Sequence, residues 1–142
     1  KLPEKTAESF KGGWFSAGDL ATRDEDGFYQ IVDRKDNMII TGGENVYPSD
    51  IEEVIGSHEC VFDCAVVGLP DDKWGEKVAA VIIRKPGLDE SKINEDTIRE
   101  CCKSQMAGFK RPKEIIFIDE DEMPRTPTGK ILHRKLREKF RK

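Results

Sequence analysis

Two apolar runs, VFDCAVVGLPD at residues 61–71 and KVAAVIIRKPG at 77–87, most constrain what this chain can fold into. Both are rich in β-branched residues and read as strands separated by the polar DDKWGE of 71–76. A third run of the same kind, KEIIFID, occupies 113–119. Helical patterns stand on either side of these strands. In YPSDIEEVIGSH, Ile51, Val54 and Ile55 form one apolar stripe, and Ser49 with Glu52 has the spacing of a capping box. From Asn94 to Met106, residues Ile98, Cys101, Cys102 and Met106 share a second helical face. A short basic helix is predicted from His133 onward.

Upstream, Trp14 and Phe15 open a strand, DEDG (24–27) supplies a turn, and FYQIV (28–32) is extended. The polar stretch DRKDN (33–37) then breaks the pattern before MIIT (38–41) resumes it and ends at Gly42–Gly43. That break is the candidate boundary or hinge, with an ordinary hairpin turn as the alternative. The predicted order is hairpin, helix, two strands, helix, strand, helix. It describes an α+β domain of about 105 residues beginning near Asp36, with a β-hairpin and a three-stranded sheet packed against about three helices.

Several function classes drop out. A chain of 142 residues makes one domain with a fragment of a second attached, and its start at Lys1 suggests a piece of a longer protein. No apolar run approaches the ~18 residues of a membrane span. Cys60, Cys64, Cys101 and Cys102 lack zinc-ribbon spacing and read as reduced thiols, so no metal site and a cytoplasmic setting are expected. Gly42–Gly43 is not followed by a dinucleotide fingerprint, and TPTGKI (126–131) lacks the first glycine and the hydroxyl residue of a Walker loop.

Three positions invite chemistry. Asp19 in AGDL either closes a local turn or offers its carboxylate to a pair of sugar hydroxyls. Arg34, in the polar break, suits a phosphate or a neighbouring acid. Lys130 follows the proline- and glycine-broken PRTPTG and precedes the basic helix. It is either a solvated surface lysine or a cation held on a stiff loop for an anionic substrate. The surrounding charge fits both readings: eight Lys/Arg and one acid, Glu138, fall between Arg125 and Lys142, in a chain of net charge -4.

Taken in order and spacing, GWFSAGDL, GFYQIVDRKDNMIITGGENVYPSDIEEVI and PRTPTGKILHRKLR resemble three motifs of the adenylate-forming family of acyl-CoA synthetases, peptide-synthetase adenylation domains and luciferases. The resemblance runs from Trp14 to about Phe140 and is strongest to fatty-acyl-CoA ligases. It implies that residues 1–35 are the last strands of a large N-terminal domain and that 36–142 are the small mobile C-terminal domain. It implies the reaction too: carboxylate plus ATP gives an acyl-adenylate, and CoA then gives acyl-CoA.

The same resemblance assigns roles. Asp19 would bind the ribose hydroxyls of ATP, Arg34 would lie near that nucleotide, and Asp36 would be the hinge. Gly43 and Glu44 would line the pantetheine tunnel, and Lys130 would contact the acyl carboxylate and the α-phosphate. Mg²⁺ would accompany ATP without a ligand from this chain. The expected partners are the large domain, ATP, a carboxylic acid and CoA, with no nucleic acid and no membrane span, and the piece alone would be inactive. One departure is Ala17, where the family usually has threonine. The nearer alternative is a domain that loads a carrier protein; the remote one is a basic nucleic-acid-binding module.

Overall fold

A computed structural model describes residues 3–88 and 93–141. The chain divides into two compact units, Lys1–Asp36 and Asn37–Lys142. The division falls inside the polar stretch 33–37.

The first unit is built from local pairings. Helix α1 (Pro3–Ser9) leads into strands β1 (Phe10–Lys11) and β2 (Trp14–Phe15), which pair antiparallel with the Phe10 and Phe15 rings 5.3 Å apart. Strands β3 (Asp19–Arg23) and β4 (Tyr29–Arg34) form a second antiparallel pair. Their turn is closed by the Asp24 carboxylate, which accepts the Phe28 amide at 2.8 Å. Phe28 therefore sits in the turn and not in the strand predicted from it. Large apolar side chains here face outward, with Trp14 82% and Phe28 73% exposed. An independent domain rarely leaves so many aromatics uncovered.

The second unit carries the core. Its strands are β5 (Ile39–Thr41), β6 (Glu44–Val46), β7 (Val61–Asp71), β8 (Gly75–Arg84) and β9 (Glu114–Phe117). Strands β7 and β8 pair antiparallel along their whole length, and β9 lies parallel on the other side of β8. The expected hairpin is β5–β6, and it does not stand apart. A single pairing, Thr41 with Gly75, joins it to β8 and makes one five-stranded sheet.

Alternation along the strands explains why both long runs are apolar throughout. Val66, Val78, Ala80 and Ile82 face one side, where helices α2 (Pro48–Gly56) and α3 (Glu95–Gln105) bury Ile51, Ile55, Ile98 and Cys102. Ala65, Val67, Leu69, Ala79, Val81 and Ile83 face the other, against Leu136 of helix α4 (His133–Phe140) and against Met123 in the loop before it. The domain is thus α+β with helices on both faces of the sheet.

Helix ends follow local chemistry, with one correction. Asn94 caps α3 by accepting the Thr97 amide at 3.0 Å. The capping box expected at Ser49 and Glu52 is not formed. Tyr47 is the N-cap and Pro48 takes the first helical position, where its missing N–H has no intrahelical partner to lose. Glu52 is free for another task.

Candidate functional site

The loop carrying Lys130 is a closed β-like arm. Arg125 bridges Ile131, the Leu132 amide donates to the Pro124 carbonyl at 2.8 Å, and the Thr126 amide donates to the Lys130 carbonyl at 2.8 Å. Inside it, the Gly129 amide donates to the Thr126 carbonyl at 2.9 Å and the Lys130 amide to Thr126 Oγ1 at 3.1 Å. Gly129 has φ +85°, a conformation that side chains with a Cβ resist. Lys130 is exposed, and among the described residues no hydrogen bond or ion pair holds its ammonium. A stiff backbone presents an unneutralised point charge.

Both ends of the arm are tied to β7. Before it, the Arg125 guanidinium donates from Nη1 to the Gly129 carbonyl at 3.1 Å and from Nη2 to the Asp63 carboxylate. After it, His133 Nε2 lies 2.8 Å from Glu52 Oε1, and the same oxygen accepts the Val66 amide at 2.8 Å. The anchoring roles of these four residues are not indicated by the sequence. Arg125 was visible as part of PRTPTGK, but its partner Asp63 is 62 positions away, and nothing local announces a pairing over that interval.

The Gly42–Gly43 turn joins β5 to β6, with φ +60° and +87°, as a two-residue type I′ hairpin requires. Gly42 meets a second constraint. A Cβ there would stand 2.7 Å from the Trp74 ring, and the Gly42 amide donates to the Trp74 carbonyl at 2.9 Å. Lys113 Nζ lies 3.9 Å from the centroid of the same indole. Glu76 fixes the base of the hairpin by accepting the Ile40 amide at 2.8 Å. Glu44 is exposed at the start of β6.

The two loops use opposite ends of the β7–β8 pair. The Lys130 arm is anchored at Asp63, whereas the Gly42–Gly43 turn is held where Gly75 opposes Asp71. Along β7, Asp63 and the Asp71 that faces Gly75 are separated by roughly 26 Å of extended chain.

In the first unit, Asp19 and Arg34 are opposite each other on β3 and β4, and Arg34 Nε lies 3.3 Å from Asp19 Oδ1. The Lys35 amide donates to the Gly18 carbonyl at 2.8 Å, which continues the pairing to the edge of the unit. Asp36 is the last residue of that unit. Of the predicted site residues, the fold brings Asp19 and Arg34 into contact, and it places Gly43, Glu44 and Lys130 in the second unit on separate loops.

The thiols are structural. Burial, reinforced by Glu52 and Asp63, pushes the Cys64 thiol up to about 12, and burial with help from Cys101 pushes Cys102 to about 11. Such thiols are poor nucleophiles at neutral pH. Among the described residues no cluster of three His, Cys, Asp or Glu gathers to hold a metal, and no helix is long and apolar enough to cross a membrane.

Comparison with known proteins gives a consistent result. The family model of the AMP-binding enzyme C-terminal domain matches residues 50–130. The chain is 46% identical over 138 residues to the long-chain-fatty-acid–CoA ligase FadD13 of Mycobacterium tuberculosis, covering 97% of this chain and 26% of the ligase. It is 43% identical to a feruloyl-CoA synthase of an Amycolatopsis species, covering 97% and 27%. The crystal structure of ATP-bound MatB from Rhodopseudomonas palustris superposes with a TM-score of 0.86 at 39% identity, over 99% of this chain and 27% of MatB. The chain therefore spans about a quarter of the length of the relatives it matches.

Proposed function

This chain belongs to the AMP-binding enzyme C-terminal domain family, and from that premise we propose that its parent protein is an AMP-forming acyl-CoA synthetase. The parent joins a carboxylic acid to ATP, releasing pyrophosphate and forming an acyl-adenylate. CoA then displaces AMP to give acyl-CoA. Residues 1–35 complete a larger N-terminal domain, which covers the outward aromatics of the first unit. Residues 36–142 are the mobile lobe, turning about Asp36. The piece alone is inactive, and the parent works in the cytoplasm.

Each named residue has a physical task in this scheme. Bringing a carboxylate onto ATP sets two anions against each other, and the Lys130 ammonium neutralises charge where the new bond forms. A preorganised donor of that kind is worth about 10²–10³ in rate. Asp19 accepts the ribose hydroxyls, and Arg34, already paired with it, braces that carboxylate near the nucleotide. Magnesium would accompany ATP, with no ligand from this chain. In the second step, the Gly43–Glu44 strand replaces the lysine and lines the path of the pantetheine thiol.

The observation that carries this reading is the placement of the two loops. They are anchored at opposite ends of the β7–β8 pair, so one rigid lobe can offer each in turn to a single site by rotating. The test is chemical. The full-length parent, supplied with ATP and a panel of fatty, aromatic and dicarboxylic acids, is expected to form AMP and acyl-CoA with free CoA. Formation of a thioester on a phosphopantetheinyl carrier protein but not on CoA would reassign it to the carrier-loading class.

A further inference from the structure

We propose that Arg125 is a positioning residue for Lys130 and that Asp63 is the anchor through which it acts, an inference that rests on reading Lys130 as the adenylation lysine. The bonds within the arm close it upon itself but do not orient it on the sheet. Arg125 supplies that link. Its guanidinium binds the carbonyl of Gly129, the residue immediately before Lys130, and with its other terminal nitrogen it binds the Asp63 carboxylate.

Asp63 is itself oriented, because its Oδ1 accepts the Cys64 amide of β7 at 2.8 Å. A continuous path of hydrogen bonds therefore runs from the strand backbone through a carboxylate and a guanidinium to the peptide that carries Lys130. Both side chains are about one-third exposed, at 30% and 34%. They lie between solvent and core, where orientation is a larger part of their role than burial. A planar two-pronged cation makes both contacts at once. A lysine ammonium on a flexible stem lacks that fixed fork.

The position of the reacting charge then depends on a residue that never touches substrate. A displacement of about 1 Å in such a group can reduce the rate by roughly 10²-fold.

The experiment uses the full-length parent and separates its half-reactions. Arg125→Gln, Arg125→Lys and Asp63→Asn are assayed for ATP–pyrophosphate exchange, for thioester formation from supplied acyl-adenylate, and for thermal midpoint. Arg125→Gln and Asp63→Asn are expected to slow adenylation by about 10- to 100-fold and leave the thioester step within about twofold. Arg125→Lys is expected to behave like Arg125→Gln. In a Lys130→Ala background, adding Arg125→Gln should reduce adenylation no further, because the arginine acts through the lysine.

Equal losses in both half-reactions, or a loss that adds to that of Lys130→Ala, would mean a structural role only and would overturn the proposal. So would normal adenylation by both Arg125→Gln and Asp63→Asn when Lys130→Ala is crippled. If Lys130→Ala adenylates normally, the reading of Lys130 itself fails, and the positioning role fails with it. If Arg125→Gln does not fold, Asp63→Asn decides between these outcomes, since it keeps the shape of the side chain.

Discussion

Glu52 and His133, 81 positions apart in the chain, meet at 2.8 Å across the outer edge of strand β7. Glu52 belongs to α2 on one face of the sheet and His133 opens α4 on the other, so the pair laces the two faces together. The carboxylate oxygen that faces the imidazole also accepts the Val66 amide, which would otherwise have no ladder partner.

Removing the carboxylate should therefore matter more than removing the ring. Glu52→Ala strips an acceptor from two half-buried donors and is expected to destabilise the chain by about 2 kcal/mol, against about 1 kcal/mol for His133→Ala. Urea unfolding of the 142-residue chain measures both. The reverse ranking would show that ring packing, not the Val66 amide, dominates.

Lys130→Ala in the full-length parent is expected to slow adenylation by about 10²–10³. Thioester formation from supplied acyl-adenylate should be untouched, since the proposed rotation turns the lysine away from the reacting atoms. Single-turnover assays of the two steps check this, and an equal deficit in both would contradict the assigned role.

Asp36→Pro restricts the backbone at the junction between the units. Thioester formation is expected to fall by at least about tenfold more than adenylation, as a lobe that cannot turn is held in its first posture. Wild-type rates for both steps would remove Asp36 from the hinge.

The buried thiols make stability depend on alkaline pH. Cys64 and Cys102 ionise in the native chain only at about 12 and about 11, whereas in the unfolded chain they do so near the ordinary value of 9.0. The unfolded state thus releases protons first, and stability present below pH 9.0 should decline as pH rises toward 11 and 12. Urea midpoints across that range should show the decline, and Cys64→Val with Cys102→Val should flatten it.

What could be read in advance is what depends on neighbours in the chain. Helix α3 was legible because Ile98 and Cys102 repeat at helical spacing. Strand β7 was legible as one uninterrupted apolar run, and the stiffness of the Lys130 arm lay in Pro124, Pro127 and Gly129. Strand β8 starts at Gly75, where it pairs with Asp71, and ends at Arg84, short of the run 77–87, because Pro86 has no amide for a ladder.

The misreadings share a cause. Ser49 and Glu52 have capping-box spacing, but Pro48 sets the helix start ahead of them, and a distant histidine and a strand amide claim the carboxylate. The joining of hairpin to sheet rests on one pairing and on Glu76 reaching Ile40 from 36 positions away. Long-range polar partners leave no periodic trace. For that reason the residues proposed for the site were visible as motifs, whereas those that hold them in place were not.

Strand β7 would be a natural seed for fibrils, a long β-branched segment with no sister strand beyond it. Three of its outward positions offer no free amide: Cys64 donates to Asp63, Val66 to Glu52, and Pro70 has none to offer. A lobe that turns as proposed would bare its flanks to other copies of itself. The carboxylates that seat the lysine arm and α4 thus also guard that flank, and losing either one should make the protein stickier as well as slower.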